Sequence, residues 1–366
     1  MTLQVDGMME APSDHARWWW SADRWTTMAD VSASKRPAAA LVMAPGLEDA
    51  LFTPLTRDRL TAVVDLVTPT SVAGPLGVPD DAAATVEVLV TGWGCPPLNT
   101  PALDHLPALG LVAHAAGTVR PVVTNALWER GIAVTSAATA NAVPVAEFAF
   151  AVIVMAAKDV FAIRDRHRSA RGRRAVVDYS RMGTRGLTVG VVGASTIGRL
   201  VIDRLRTLEV DVLVADPYLT IAEAGELGAR LVGLDDLLAA SDLVTLHAPL
   251  LDDTRGMVGT DQLARMRDGS WLVNTARGGL VDTDALTAEV TSGRLRAFID
   301  TSEPEPLPPE SPLYDHEGAV LTPHVAGSLG NELSRLGDLA VTEVERFTTG
   351  EEPLHPVARS DLDRIA

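Results

Sequence analysis

The sequence predicts an α/β protein built on two doubly wound parallel sheets. Three observations lead there. Short apolar runs alternate with helical stretches from Ala38 onward, 366 residues suffice for two buried cores, and the alternation restarts once, beyond an Arg-rich stretch at 164–174. Runs 38–44, 86–90, 111–114 and 132–136 read as strands of the first sheet, the first of them closing on the turn pair Pro45-Gly46. Pro144 then opens a long apolar helix, with proline near its first turn. Runs 187–192, 212–215, 243–246, 271–274, 297–299 and 320–321 supply six more strands, the complement of a full dinucleotide-binding domain. A helical stretch at 331–349 closes the chain and returns to the first domain. Residues 37–155 plus 328–366 therefore form one domain, and 156–327 a second, inserted one.

Residues 1–36 differ from the rest. Trp18, Trp19, Trp20 and Trp25 stand among Ser, Asp and Met without helical or strand periodicity. The expectation is a disordered extension, or residues upstream of the true start, since Met28 stands ten residues before the first strand.

Composition bounds the function. Apolar residues make up 47% and charged residues 22%, the profile of a soluble globular chain. With 31 basic and 48 acidic residues the net charge is -17, and such a field repels nucleic acid and anionic membranes. Any anionic substrate must then be captured by local arginines. Cys95 is the sole cysteine, so no internal disulfide forms, and a reducing cytoplasm fits. Residues 1–10 lack the basic-then-apolar pattern of an export signal. The longest apolar run, 142–157, carries Pro144 and Glu147 and falls short of the roughly 20 residues a bilayer span requires. No metal is expected.

The first chemical signal is Gly190-Val191-Val192-Gly193-Ala194-Ser195-Thr196-Ile197-Gly198, after a strand and before a helix. It follows the G-x-G-x-x-G dinucleotide pattern, with Ser195 in place of the second glycine. Gly193 and Gly198 keep the tight turn and the close helix packing, while the Ser195 hydroxyl is either tolerated or a phosphate donor. Asp216 ends the next strand, 23 residues after Gly193, where a carboxylate accepts from ribose hydroxyls and repels a 2′-phosphate. No basic residue follows until Arg230, so NAD is favoured over NADP.

Four further segments carry a resemblance. Ser241-Asp242-Leu243-Val244-Thr245-Leu246-His247-Ala248-Pro249-Leu250 leads through Thr254-Arg255-Gly256 to Leu272-Val273-Asn274-Thr275-Ala276-Arg277-Gly278-Gly279. Phe298-Ile299-Asp300-Thr301-Ser302-Glu303-Pro304-Glu305-Pro306 and Leu321-Thr322-Pro323-His324-Val325-Ala326-Gly327 follow. In this order they resemble the D-isomer-specific 2-hydroxyacid dehydrogenases, a family that includes phosphoglycerate dehydrogenase, glyoxylate/hydroxypyruvate reductase and D-lactate dehydrogenase. The resemblance covers roughly 38–349 and implies a Rossmann NAD-binding domain inserted into a flavodoxin-like substrate domain.

It also implies site residues. The family's catalytic Arg, Glu and His fall on Arg277, Glu305 and His324. A guanidinium binds the carboxylate of a 2-keto acid while polarising its carbonyl, and an imidazolium held by a carboxylate supplies the proton. Cofactor contacts fall on Gly193, Ser195, Thr196, Ile197, Gly198, Asp216, His247, Thr275, Ala276 and Asp300, the last facing the nicotinamide carboxamide. His247 by itself reads as a structural strand-end histidine. Thr139-Ala140-Asn141-Ala142-Val143-Pro144-Val145-Ala146-Glu147 is similar to the start of the interdomain helix, with Ala142 where many members carry Thr. Residues 115–120 are similar to the loop whose N–H groups hold the substrate carboxylate, which makes Gly117, Thr118, Arg120 and nearby Trp93 candidates for the pocket.

The implied partner is a small anionic 2-keto or 2-hydroxy acid, with a homodimer formed through the nucleotide-binding domain. The resemblance leaves two other classes open: the C-terminal-binding-protein corepressors, NAD-sensing modules with similar Arg, Glu and His, and NAD-dependent formate- or phosphite-oxidising enzymes. Turnover with 2-keto acids discriminates among them.

Overall fold

The computed structural model describes residues 36–68, 70–171 and 182–363. The expectations for residues 1–35, and for the last three residues of the Arg-rich stretch, lie outside the described residues.

The first sheet holds β1 (Ala38–Val42), β2 (Asp65–Leu66), β3 (Val86–Thr91), β4 (Leu111–His114) and β5 (Ala133–Ser136), all parallel, in the order β2-β1-β3-β4-β5. Its strands are mostly apolar, with Ala38–Val42 unbroken, because both faces are covered by helices. Successive side chains alternate between the two faces. Ala39, Leu41, Val88 and Val90 pack with Leu336, Ala340, Val344 and Phe347 of the helix Leu333–Thr349. Ala40, Val42, Leu89 and Val112 face the opposite way, against Leu98, Leu103 and Leu127.

The second sheet holds β6 (Thr188–Val192), β7 (Asp211–Ala215), β8 (Arg230–Leu231), β9 (Leu243–Leu246), β10 (Trp271–Asn274), β11 (Arg296–Ile299) and β12 (Ala319–Leu321). Its order is β12-β11-β10-β9-β6-β7-β8, again parallel throughout. The first sheet has the flavodoxin-like order and the second the doubly wound dinucleotide-binding order with one added strand. Both sheets gain an edge strand that the sequence did not signal, β2 and β8, each two residues long.

The long apolar helix starts earlier than its proline suggested. It spans Ala138–Ala157, and Pro144 lies inside it. The end of β5 sets the start, since the Ser136 hydroxyl accepts from the Ala138 N–H at 3.1 Å. At 20 residues and mean hydropathy 1.8 this helix is long and apolar enough to cross a membrane by length and composition. In the fold, Ala146, Ala149, Val152, Ile153 and Ala156 bury their side chains against the second sheet and the helix Thr196–Leu205. Exposed Glu147 pairs with Arg204 at 3.4 Å.

The chain's last stretch also packs on the first sheet. Buried Glu343 accepts from the N–H groups of Leu354 (3.0 Å) and His355 (2.8 Å). The segment then runs along the open edge of β5, with Val357 N–H donating to Val134 at 2.8 Å.

Candidate functional site

The glycine-rich turn joins β6 to the helix Thr196–Leu205. Gly193 has φ +95°, and a Cβ there would lie 2.5 Å from the Ala248 nitrogen. A Cβ on Gly198 would sit 2.0 Å from the Gly193 carbonyl oxygen. Only glycine fits either place, which accounts for two-thirds of the fingerprint. Ser195 takes the place of the second glycine, as helix N-cap. Its hydroxyl donates to the His247 carbonyl at 2.8 Å and accepts from the Gly198 N–H at 3.3 Å. That proton is committed within the chain, which favours tolerance over phosphate donation. Replacing Ser195 with glycine, which as an N-cap costs only a few tenths of a kcal/mol, should leave the NADH dissociation constant within about twofold by fluorescence titration. A tenfold loss would restore the phosphate-donor reading.

The residues present suit a dinucleotide. The helix presents first-turn N–H groups at Thr196 and Ile197 that helical geometry leaves without intrahelical acceptors, a ready anion site. The Asp216 carboxylate accepts from the Ala194 N–H at 2.7 Å and from the Tyr218 N–H at 2.8 Å. It thereby ties the turn to the end of β7, half-exposed where a ribose would lie. Buried Thr275 has a hydroxyl with no partner, as expected where a ligand supplies one. Ala276 is also buried.

Arg199 escaped the sequence reading. Its Nε donates to the Ala194 carbonyl at 2.9 Å, which puts a cation beside the turn although none follows Asp216 before Arg230. The signal was its place directly after the third glycine of the pattern.

His247 is buried, as a structural reading requires. Its Nε2 pairs with Thr245 Oγ1 at 3.0 Å, and burial depresses its pKa to about 3. His114, at the end of β4, is likewise buried between Thr91 Oγ1 (2.9 Å) and the Thr118 carbonyl (3.1 Å). Burial lowers its pKa to about 4, against a smaller opposing effect of the Thr118 hydrogen bond. Unfolded, both rings take up a proton near pH 6.5, which the folded chain resists until about 4 and 3. Their contribution to stability is therefore complete above pH 6.5 and declines as pH falls. The loss is about 2 kcal/mol per ring by pH 5. Urea midpoints at pH 7.5 and 5.0 check this, and an equal midpoint would contradict it.

Arg277, Glu305 and His324 come from three loops at the carboxyl ends of β10, β11 and β12. Asn274 shapes the first loop. Its amide donates to the Arg277 carbonyl at 2.9 Å and accepts from the Ala276 N–H at 3.1 Å. The half-buried Arg277 guanidinium has its pKa lowered by burial, against the attraction of Glu305. Glu305 Oε1 meets His324 Nδ1 at 2.8 Å. An ion pair between Arg255 and Glu303 at 2.6 Å, and a bond from Thr283 Oγ1 to the Glu303 carbonyl at 2.7 Å, brace the loop carrying Glu305.

His324 adopts φ +56°, a left-handed conformation unusual for a residue with a Cβ. Asp300 holds it there. Its backbone carbonyl accepts from the His324 N–H at 2.9 Å. Its carboxylate takes Thr322 Oγ1 at 2.5 Å, Val325 N–H at 2.8 Å and Ala326 N–H at 2.9 Å. With 2% of its surface exposed and three bonds already made, Asp300 has little acceptor capacity left for a carboxamide. The geometry makes it first the organiser of the His324 loop.

In the first domain, Ser136 Oγ donates to the Gly117 carbonyl at 2.7 Å, which fixes the loop after β4 by its carbonyl side. Among the described residues, none accepts from the N–H groups of Gly117 or Thr118. Those donors suit a carboxylate. Arg120 instead turns to the end of the chain, where its guanidinium bonds the Leu362 carbonyl. The sequence reading also gave Asn141 no role. Its Oδ1 accepts from the Ser328 N–H at 2.9 Å, and its amide nitrogen lies beside Gly117. It thus links the loop after β4 to the segment beyond His324.

Fold and site together define a two-domain α/β protein with a dinucleotide-binding domain. Residues 150–326 match the family model for the D-isomer specific 2-hydroxyacid dehydrogenase, NAD binding domain. The chain is 34% identical over 244 residues to the D-3-phosphoglycerate dehydrogenase of Archaeoglobus fulgidus, covering 66% of this chain and 46% of that one. It is 33% identical over 260 residues to the glyoxylate reductase of Korarchaeum cryptofilum, covering 70% and 78%. The structure of a phosphoglycerate oxidoreductase from Rhizobium etli aligns with a TM-score of 0.74 at 25% identity, over 88% of this chain and 99% of that one. The chain belongs to the D-isomer specific 2-hydroxyacid dehydrogenase family. It spans about half the length of the phosphoglycerate dehydrogenases it matches, 46% and 47% for two of them.

Proposed function

We propose that this protein is an NAD-dependent oxidoreductase that interconverts a small 2-keto acid and its D-2-hydroxy acid. The observation that carries the reading is the 2.8 Å pairing of Glu305 with His324, with Arg277 near enough to feel the same carboxylate. Residues 37–155 with 328–366 serve as the substrate domain and 156–327 as the cofactor domain. The working form is a homodimer through the latter, in the cytoplasm.

NADH supplies the hydride when bound. Arg277 binds the substrate carboxylate and polarises the C2 carbonyl, and the free N–H groups of Gly117 and Thr118 take the remaining carboxylate oxygen. With His324 Nδ1 engaged by Glu305, its Nε2 faces the substrate and donates the proton to the carbonyl oxygen as C2 is reduced. Oxidation of the hydroxy acid runs the same path backwards, with His324 as base. Thr275 and the helix N-terminus at Thr196 hold the cofactor, and Asp216 accepts from its ribose.

The test is NADH oxidation, with NADPH as comparison, against glyoxylate, hydroxypyruvate, pyruvate and phosphohydroxypyruvate. Glu305→Gln then probes the pairing. Its neutral amide holds the His324 ring less firmly than the carboxylate, since a charge-assisted bond is roughly twice as strong as a neutral one, so kcat for reduction should fall by about tenfold or more while NADH binding persists. An unchanged kcat would separate Glu305 from proton transfer.

A further inference from the structure

The proposed reaction leaves open what the substrate carries beyond C2, and the first domain bears on that. In a sheet of order β2-β1-β3-β4-β5 the chain reverses direction between β1 and β3, and the crevice at that switch point takes ligands. The loops after β1 and β3 meet there, where the Ala44 N–H donates to the Trp93 carbonyl at 2.7 Å. Cys95 N–H donates to the Gly92 carbonyl at 3.1 Å, which closes a tight turn around Trp93. The turn is fixed, and it holds a large aromatic side chain 42% exposed. An aromatic left open on a rigid turn in a crevice loses little entropy on covering an apolar group.

Charge around the same crevice is sparse. Stretches 43–46, 67–72, 92–98, 115–120 and 137–141 follow the five strands, and Arg120 is their only Arg or Lys. That guanidinium bonds the Leu362 carbonyl. His114 is buried and neutral above pH 5. The short helix Leu47–Leu51 beside β1 adds Glu48 and Asp49, and Arg57 faces Asp49 at 3.8 Å. Glu48 is 3% exposed, bonded by Ser71 through its N–H at 3.0 Å and its hydroxyl at 2.5 Å. Burial alone would raise the pKa of this carboxyl. Bonds from Ser71 and from backbone N–H groups outweigh that and keep it below the usual carboxylate range. Among the described residues, a second anionic group on the substrate would therefore enter beside a fixed carboxylate, while the one guanidinium of these stretches is already bonded to the Leu362 carbonyl.

We infer that the preferred substrate is a 2-keto acid whose side chain is uncharged and apolar, seated on Trp93, and not one whose side chain carries phosphate, sulfonate or a second carboxylate. This rests on the proposed keto-acid reduction.

The test compares kcat/KM for glyoxylate, pyruvate, 4-methyl-2-oxopentanoate, phosphohydroxypyruvate and oxaloacetate with NADH and the full chain. The branched acid should exceed phosphohydroxypyruvate by about a hundredfold, the scale on which an apolar pocket discriminates. Trp93→Ala should lower kcat/KM for the branched acid at least about tenfold more than for glyoxylate, which has no side chain to lose contact, and mainly through KM. NADH binding by the variant checks that it folds. Equal or better use of phosphohydroxypyruvate or oxaloacetate would overturn the inference, as would a Trp93→Ala loss equal for both acids. If glyoxylate and every other acid fail to oxidise bound NADH, the underlying reading falls first, and the inference with it.

Discussion

His324→Ala should cut kcat for keto-acid reduction by about two to four orders of magnitude, the usual worth of a positioned general acid. The carbonyl oxygen gains charge as C2 is reduced, and without His324 that charge waits for a proton from water. NADH affinity should persist, because the turn at Gly193 and the carboxylate of Asp216 lie on loops after β6 and β7, apart from the loop after β12. The substitution also places alanine at φ +56°, a costly conformation for it, so thermal melting must accompany the kinetics. His324→Asn tolerates the backbone better and removes the same proton. Both variants should lose rate alike. Near-normal turnover in either would mean that a group other than His324 supplies the proton.

Arg277→Ala should reduce kcat/KM by about two to four orders of magnitude, taking each of two charge-assisted hydrogen bonds at roughly 1.5–3 kcal/mol. The loss divides between KM and kcat, since one guanidinium acts on the carboxylate in the ground state and on the carbonyl as charge develops. Arg277→Lys keeps the charge and loses the planar fork, so it should recover only part of the rate. A loss confined to KM would limit Arg277 to binding. Initial-rate kinetics over a full substrate range separate these outcomes.

The strands of the two sheets were legible because burial on both faces leaves largely apolar runs such as Ala38–Val42. Strands β2 and β8 were not, since two residues carry no periodicity. Pro144 misled the helix start. Proline most often stands in a first turn, and only the contact of Ala138 with Ser136, set by the preceding strand, shows that the helix is already under way. Arg277, Glu305 and His324 stood out because each ends a strand motif with a side chain that carbonyl chemistry requires. Asn141 and Ser328 stand 187 positions apart in the chain, and no local pattern records their contact. The same holds for Asp300. Its type and place were readable, but its three bonds to the His324 loop exist only in the folded chain. Arg120 lies on the loop after β4 that the resemblance singled out, yet its guanidinium bonds the Leu362 carbonyl.

The central claim, that this chain passes hydride from NADH to C2 of a 2-keto acid to give the D-hydroxy acid, is tested most directly by isotope transfer. The protein is incubated with pyruvate or 4-methyl-2-oxopentanoate and NADH deuterated at both C4 positions, and the product is analysed by mass spectrometry and chiral chromatography. The account predicts one deuterium at C2 of the D-isomer, with formation suppressed in His324→Ala. Product of the L-configuration, product without deuterium, or no product while NADH binds would contradict it.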